Sequence, residues 1–102
     1  MLLMETNYDQ TIKKDAGKLQ LHLVPTEIIK AIARVRMFGV EKYGDNESWK
    51  QVEKQRYIDA TFRHFLAYLD GVEKDEESGL PPLEHVACNI AFLLAMEGDS
   101  KK

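Results

Sequence analysis

The apolar residues of this chain recur mostly at helical spacing, three or four residues apart, in three separate segments. The first segment begins at Pro25-Thr26, where Thr26 suits an N-cap position, and it ends at Gly44. The second spans about residues 52–71, and the third spans about residues 82–97. The pattern therefore predicts three helices and an all-α fold.

The second segment carries the most regular apolar pattern in the chain. Its apolar residues alternate between four and three positions apart, as in a helix-packing seam: Ile58, Phe62, Phe65, Leu69 and Val72. The third segment is apolar nearly all round, which predicts a central or interface helix. A domain of this size buries only about two-thirds of its unfolded surface. We therefore expect a second copy to complete the bundle, as a homodimer or a tetramer.

The two ends of the chain lack a helical period. Leu19, Leu21 and Leu23 alternate with polar residues at strand spacing, but no other run offers a partner strand, so we predict an ordered extended arm or loop. The predicted organisation is a single domain, with an arm at 1–25, a helical bundle at 26–97 and a frayed tail at 98–102.

The net charge and the single cysteine limit the ligands and the cellular environment that we expect for this protein. The net charge is −3, so the whole molecule lacks the basic surface that binds a DNA or RNA polymer. A phosphate-bearing ligand must then meet a local positive cluster or a cation. Cys88 is the one cysteine, which predicts a small core residue and a reducing, cytoplasmic environment. We find no signal-peptide pattern and no apolar run long enough for a membrane span.

Three polar residues interrupt the apolar faces of the second and third helices. His85 and Asn89 lie four apart and so share one helix face. His64 has small residues one turn away on either side, which would let it face His85 or Asn89 across a close helix contact. Two interpretations stay open, a structural pair that ties the helices together or a ligand pair pointing into a polar site.

The turn at residues 70–78 holds five carboxylates and one lysine. Asp75 and Glu77 are the best placed to bind a hard divalent cation, although such a run also suits a solvated turn. Asp59 and Arg63, four apart, form either a surface ion pair or part of a site.

Several cations and aromatic residues could meet a nucleotide. Tyr43 and Trp49 could stack on a base or pack in the core. A loop with two lysines around Gly17 could wrap an anion. The candidate phosphate-binding residues are Lys14, Lys18, Arg36, Lys42 and Arg63.

Several short segments follow one another between residues 14 and 96. They are Lys14-Asp15-Ala16-Gly17-Lys18, Leu23-Val24-Pro25, Phe38-Gly39-Val40-Glu41-Lys42-Tyr43-Gly44 with Asn46 and Trp49, Tyr57-Ile58-Asp59-Ala60, Arg63-His64, Asp75 with Glu77-Ser78-Gly79-Leu80, and His85 with Asn89. In their order and spacing they resemble the N-terminal-domain family of phage dATP/dGTP diphosphohydrolases, a group related to the MazG-like all-α pyrophosphatases.

The resemblance implies a MazG-like bundle that acts as a homo-oligomer, encoded by a phage or prophage of a bacterial host. The implied reaction hydrolyses a purine deoxynucleoside triphosphate to its monophosphate and pyrophosphate, with Mg²⁺ or Mn²⁺. The implied catalytic residues are Asp59, His64, His85 and Asn89. The implied substrate-binding residues are Lys14, Asp15, Lys18, Lys42, Tyr43, Trp49 and Arg63, and the implied metal ligands are Asp59, Asp75 and Glu77.

Two other hypotheses remain beside the enzyme. The helices carry fewer carboxylates than ordinary MazG-like enzymes do, which favours a non-catalytic module that binds a nucleotide or a protein. The apolar third helix favours a structural oligomerisation unit.

Overall fold

The computed structural model describes residues 16–100, and the side chains of residues 16–99. The chain forms three α-helices and two short 3₁₀ turns in this range. The helices are α1 (Thr26–Tyr43), α2 (Lys54–Leu69) and α3 (Pro82–Ser100), and the 3₁₀ turns are Leu21–Leu23 and Ser48–Gln51. No strand occurs between residues 16 and 100, so the predicted all-α fold is confirmed.

The two ends of α1 show one wrong and one correct prediction. Pro25, not Thr26, is the N-cap residue, and no side chain caps the helix. The reason is that the carbonyl of Pro25 already accepts the first bond, from the Ile28 N–H at 3.4 Å, which places Thr26 inside the helix. Gly44 ends the helix as predicted. Its φ of 85° is left-handed, a conformation that glycine adopts without strain, and its N–H donates to the carbonyl of Val40.

Helix α3 packs against both α1 and α2, which confirms its predicted central position. Two exposed ion pairs join the helices at their margins. Arg34 of α1 donates two hydrogen bonds to the Glu84 carboxylate, at 3.0 and 2.7 Å. Lys54 of α2 reaches Glu97 near the end of α3. The helix continues to Ser100, three residues beyond the predicted end.

The core of the described chain is small. Within residues 16–99 the buried residues are Ala31, Pro82, His85 and Cys88. Cys88 is 1% exposed, which confirms its predicted core position. Burial raises the pKa of its thiol to about 11, so the sulfur stays protonated at neutral pH.

Most of the apolar seam predicted on α2 stays exposed within the described residues: Ile58 is half-buried, but Phe62, Phe65, Leu69 and Val72 are exposed. Three of these residues form one outward face together with Leu66, which was not predicted. From here on we call this face, Phe62, Phe65, Leu66 and Leu69, the seam, and the exposed fractions of its residues are 64%, 43%, 57% and 61%. The physical reason is that α2 turns its opposite side, which carries His64, toward α3. The helix therefore presents its apolar side outward.

The leucines before α1 are not extended. Leu21–Leu23 form a 3₁₀ turn in which the N–H of Leu23 donates to the carbonyl of Gln20 at 3.1 Å. Of the two predicted forms, an extended arm or a loop, these residues adopt the loop, and no strand within residues 16–100 lies beside them to hold an extended backbone. Among the helices between residues 16 and 100, none combines the length and the apolar character needed to cross a bilayer.

Candidate active site

A cleft of about 660 Å³ lies between the three helices, the second 3₁₀ turn and the loop at residues 70–81. Four cationic side chains and two carboxylates line it: Arg36, Lys42, Arg56, Arg63, Asp75 and Glu77. The chain as a whole has a net charge of −3. The local excess of positive charge is therefore a property of the cleft, and it favours an anionic ligand.

Two histidines meet on one wall of the cleft. The rings of His64 on α2 and His85 on α3 stack, with their centroids 4.5 Å apart and their planes 11° from parallel. Ala60, one turn before His64, also lines the cleft, and its small side chain leaves room for this approach. His64 was predicted to face His85 or Asn89 across a close helix contact, and the structure shows His85 as the partner.

Both imidazoles are held in their neutral form. Burial lowers the pKa of His64, the neighbouring His85 lowers it further, and Asp75 opposes both effects. Burial also lowers the pKa of His85, again against the attraction of Asp75. A neutral imidazole can accept a proton, so either ring has the protonation state that a general base requires at neutral pH.

The loop before α3 is built around Asp75. Its Oδ2 accepts hydrogen bonds from the backbone N–H groups of Glu77 at 3.1 Å and Ser78 at 3.0 Å. The backbone closes the same turn, because the N–H of Gly79 donates to the carbonyl of Asp75 at 2.8 Å. Burial alone would raise the pKa of Asp75, but the bond from the Ser78 N–H and the nearby His85 outweigh burial and lower it.

Ser78 joins this loop to the histidines. Its hydroxyl oxygen lies 2.6 Å from Nε2 of His85 and 3.2 Å from Oδ2 of Asp75, and it accepts a hydrogen bond from the N–H of Leu80 at 3.1 Å. Ser78 was not among the functional residues predicted from the sequence. The available signal was its place in a turn closed by Asp75, but nothing in the sequence shows that this turn folds onto His85.

The remaining wall of the cleft carries Asn89, Lys42 and Tyr43. Asn89 lies one turn after His85, and its side chain makes no hydrogen bond within the described residues. Lys42 binds Glu77 across the cleft, and this hydrogen bond raises the pKa of Lys42. Tyr43 is 63% exposed at the rim, and the Lys42 ammonium lies 5.1 Å from the centre of its ring.

Trp49 packs against α3. Its ring stacks on Phe92 with a centroid distance of 4.6 Å, and its carbonyl accepts a hydrogen bond from the hydroxyl of Tyr57 at 2.6 Å. Of the two sequence interpretations of Trp49, the contacts describe packing onto the central helix, although the residue also lines the cleft.

Three of the chain's arginines line the cleft without a carboxylate partner in the described residues: Arg36, Arg56 and Arg63. Arg36 is fixed by a hydrogen bond to the carbonyl of Asn46 at 2.7 Å and lies over the ring of Phe92. Arg56 was missed from the sequence. The usable signal was its spacing of seven residues from Arg63, which places both arginines on one side of α2.

Other predicted residues lie away from the cleft or outside the described chain. Asp59 is exposed on α2 and accepts a hydrogen bond from Gln55 at 3.0 Å. Lys18 lies in a separate hollow formed by residues 16–22. Lys14 and Asp15 fall outside the described residues.

The three carboxylates predicted as metal ligands do not fit one site in this chain. Asp75 uses Oδ2 for its own loop, Glu77 binds Lys42, and Asp59 lies outside the cleft lining. Within residues 16–100, no group of three or more histidine, cysteine, aspartate or glutamate side chains is arranged to hold a metal ion.

Comparison with known proteins adds the family. The chain matches the family described as dATP/dGTP diphosphohydrolase, N-terminal, over residues 8–102. It is 34% identical over 82 residues to a dATP/dGTP diphosphohydrolase of Salmonella phage PMBT28, an alignment that covers 80% of this chain and 28% of that relative. No solved structure matches. Because the family match extends over almost the whole sequence, this chain belongs to the dATP/dGTP diphosphohydrolase N-terminal family.

Proposed function

We propose that the cleft binds a purine deoxynucleoside triphosphate, dATP or dGTP, and hydrolyses it to the monophosphate and pyrophosphate. One observation carries the proposal: the stacked His64–His85 pair shares a cleft with arginines that have no carboxylate partner in the described residues. The substrate is taken from the name of the phage relative. This chain spans 28% of the length of that relative.

The arginines suit the phosphate end of such a substrate. Arg56 and Arg63 are separated by seven residues, about 10 Å along the axis of α2. A guanidinium binds phosphate oxygens with two parallel hydrogen bonds and stays charged in any surroundings. Two such groups at this spacing can hold the two ends of a triphosphate chain. Lys42 can add a third contact once it leaves Glu77.

The chemical step needs a base and a stabiliser of negative charge. A water oxygen forms a bond to the α-phosphorus while the bond from the α-phosphorus to the α,β-bridging oxygen breaks, and pyrophosphate leaves with that oxygen. His85 takes the proton from the water, and the arginines neutralise the charge that grows on the phosphate oxygens. Asn89 has free donor and acceptor atoms within the described chain and can orient the water or the sugar.

The base end is assigned to Tyr43 in this proposal. Tyr43 is exposed at the rim of the cleft, whereas one face of Trp49 is already covered by Phe92. An exposed aromatic ring beside a cationic cleft can stack on a purine. In this proposal Tyr43 contributes to the affinity for the nucleotide and takes no part in the chemical step. The reacting phosphorus lies near the histidines.

A nucleotide assay tests the proposal. Purified chain is incubated with each of the four deoxynucleoside triphosphates, in Mg²⁺, in Mn²⁺ and in EDTA, and the products are separated. We expect equal amounts of purine monophosphate and pyrophosphate. Release of orthophosphate, or no turnover under any of the three metal conditions, would contradict the proposal. The need for Mg²⁺ or Mn²⁺ and the cytoplasmic location stay predictions.

A second candidate function follows from the small number of carboxylates available in the cleft. Asp59 lies outside the cleft lining, Oδ2 of Asp75 is bound within its own loop, and Glu77 is paired with Lys42. The cleft therefore also suits a module that binds a nucleotide without hydrolysing it. A nucleotide that raises the melting temperature in EDTA, with no product formed, favours this function. Metal-dependent turnover excludes it.

The proposal includes a second copy of the chain against the apolar seam. The seam residues are 43–64% exposed, and the four buried residues found within residues 16–99 are few for a bundle of this size. Exposed apolar faces of this kind are covered in homo-oligomers with two-fold symmetry. A dimer is the smallest assembly that would cover the seam.

A further inference from the structure

We propose that Ser78 is a positioning residue for His85: its hydroxyl connects the Asp75 carboxylate to Nε2 of His85 and fixes the tautomer with the proton on Nε2. This inference rests on the proposed function in one respect only, the role of His85 as the general base. The contacts that carry it belong to the protein alone.

The hydrogen-bond partners of the Ser78 hydroxyl determine the tautomer of His85. The Ser78 oxygen has three polar neighbours, the N–H of Leu80, Oδ2 of Asp75 and Nε2 of His85. The Leu80 N–H can only donate, and an ionised carboxylate can only accept. The single hydroxyl proton therefore goes to Asp75, because otherwise two acceptor oxygens would face each other at 3.2 Å. Nε2 of His85 must then supply a proton to the serine oxygen at 2.6 Å.

The loop is rigid enough to hold this arrangement. The Asp75 carboxylate is anchored by two backbone N–H groups, and the backbone N–H of Asp75 itself donates to the carbonyl of Leu80 at 2.8 Å. Gly79 has a φ of 74°, a left-handed conformation that glycine adopts without strain and that carries the chain back past Ser78. Ser78 is thus placed by its own turn, independently of the imidazole.

The tautomer has a functional consequence. With the proton on Nε2, the lone pair of His85 is on Nδ1, which makes no hydrogen bond within the described residues. His85 can then take a proton at Nδ1 while Nε2 stays bonded to Ser78. The charge that forms faces Asp75 across the serine, with Oδ2 4.0 Å from Nε2. The other ionisable groups near His85 are His64, Glu77 and Glu84.

The nitrogen chemical shifts of the histidine rings test the tautomer directly. The full chain is labelled with ¹⁵N-histidine and measured without nucleotide, and the variants His22→Asn and His64→Asn assign the three rings. We expect His85 to carry its proton on Nε2. A wild-type His85 with the proton on Nδ1 overturns the inference, and this measurement needs no Ser78 variant to fold.

Two serine variants test the positioning role. Ser78→Ala should give a mixture of His85 tautomers and lower kcat by about 10²-fold, with KM changed by less than about twofold. Ser78→Thr keeps the hydroxyl and should restore both the tautomer and most of kcat. An unchanged tautomer in Ser78→Ala, or a change confined to KM, overturns the role.

The outcomes separate this inference from the proposed function. A protein with the expected tautomer and no turnover of any nucleotide refutes the function and leaves the Ser78–His85 link standing. A protein that turns over purine nucleotides with His85 in the other tautomer refutes the link alone.

Discussion

The two sides of α2 contrast sharply. The side toward α3 carries His64 and, at its edge, Arg56 and Arg63, and it lines the cleft. The opposite side carries the apolar seam and faces outward. A helix of a monomeric protein usually buries its apolar stripe and exposes its charges. Here the arrangement is reversed: one side of α2 lines the cleft with charged and polar side chains, and the other side exposes the seam.

The reversal has an energetic cost on each side. The cleft side of α2 packs His64 on His85 of α3, and a buried imidazole must find a hydrogen-bond partner, which His85 has in Ser78. An exposed leucine or phenylalanine forgoes about 1.5–3 kcal/mol that its burial would contribute. The cleft therefore needs a precise local structure, and the seam needs a partner surface. Each requirement can be tested by itself.

The largest expected effect comes from the cleft side. Replacing both Arg56 and Arg63 by glutamine should lower kcat/KM for the purine triphosphates by about 10³-fold, because hydrogen bonds to charged groups contribute about 1.5–3 kcal/mol each. The measurement is initial rate against nucleotide concentration. Lys30→Gln removes one exposed positive charge outside the cleft lining and is the control. An equal loss of kcat/KM in the double arginine variant and in Lys30→Gln would mean that substrate binding depends only on the overall charge of the protein.

The apolar seam should give the next largest effect. The double variant Phe62→Glu with Leu69→Glu places charges where a second copy would pack, so the assembly should dissociate to monomers. In the proposed dimer the second copy buries both side chains, so their replacement should lower the apparent free energy of unfolding by about 3 kcal/mol or more. Light scattering after size-exclusion chromatography gives the mass.

Lys74→Glu is the control for the seam, because it changes the net charge by the same amount at an exposed loop position. It should leave the mass unchanged. If the wild-type protein is already a monomer at micromolar concentration, the seam does not bind a second copy, and the proposed dimer is wrong.

The sequence was informative where local rules decide the structure. Helix α2 was expected at about residues 52–71 and runs over Lys54–Leu69, because helical spacing and flanking turns are local signals. The facing of His64 and His85 also followed from small neighbours and shared helix faces. These inferences needed only the geometry of a helix.

The rest depended on tertiary contacts. Helical spacing identifies the apolar seam but does not say which side of α2 another helix covers. The Asp75–Ser78 turn is a local structure. It becomes part of the cleft only because the fold brings Ser78 into contact with His85. Arg56 was missed because an arginine facing a cleft and one facing solvent look identical in a sequence.

The pH dependence of stability should again distinguish the cleft from the seam. The pKa values of His64 and His85 lie below their ordinary value in the folded chain, so the unfolded chain binds protons more readily. The stability that the neutral rings provide is therefore present above about pH 6.5 and is lost as the pH falls through the folded pKa values. Urea unfolding between about pH 7.5 and 5.5 measures this loss.

Histidine variants assign the pH effect. His85→Asn should flatten the dependence, whereas His22→Asn should keep it, because His22 lies exposed in the first 3₁₀ turn. The seam variant should also keep it, since the seam contains no titrating group. If His85→Asn leaves the pH dependence of the unfolding free energy unchanged, groups other than His85 cause the loss of stability at low pH.

The smallest expected effect concerns the ion pair between Lys42 and Glu77 at the mouth of the cleft. If Lys42 helps to bind the triphosphate, Glu77 competes with the substrate for it. Glu77→Gln should then lower KM by about threefold, the size expected for an exposed ion pair, with kcat unchanged. Glu76→Gln alters a neighbouring exposed carboxylate and should have less effect. A rise in KM for Glu77→Gln would instead mean that its carboxylate supports substrate binding, as the sequence-based prediction of a cation ligand requires.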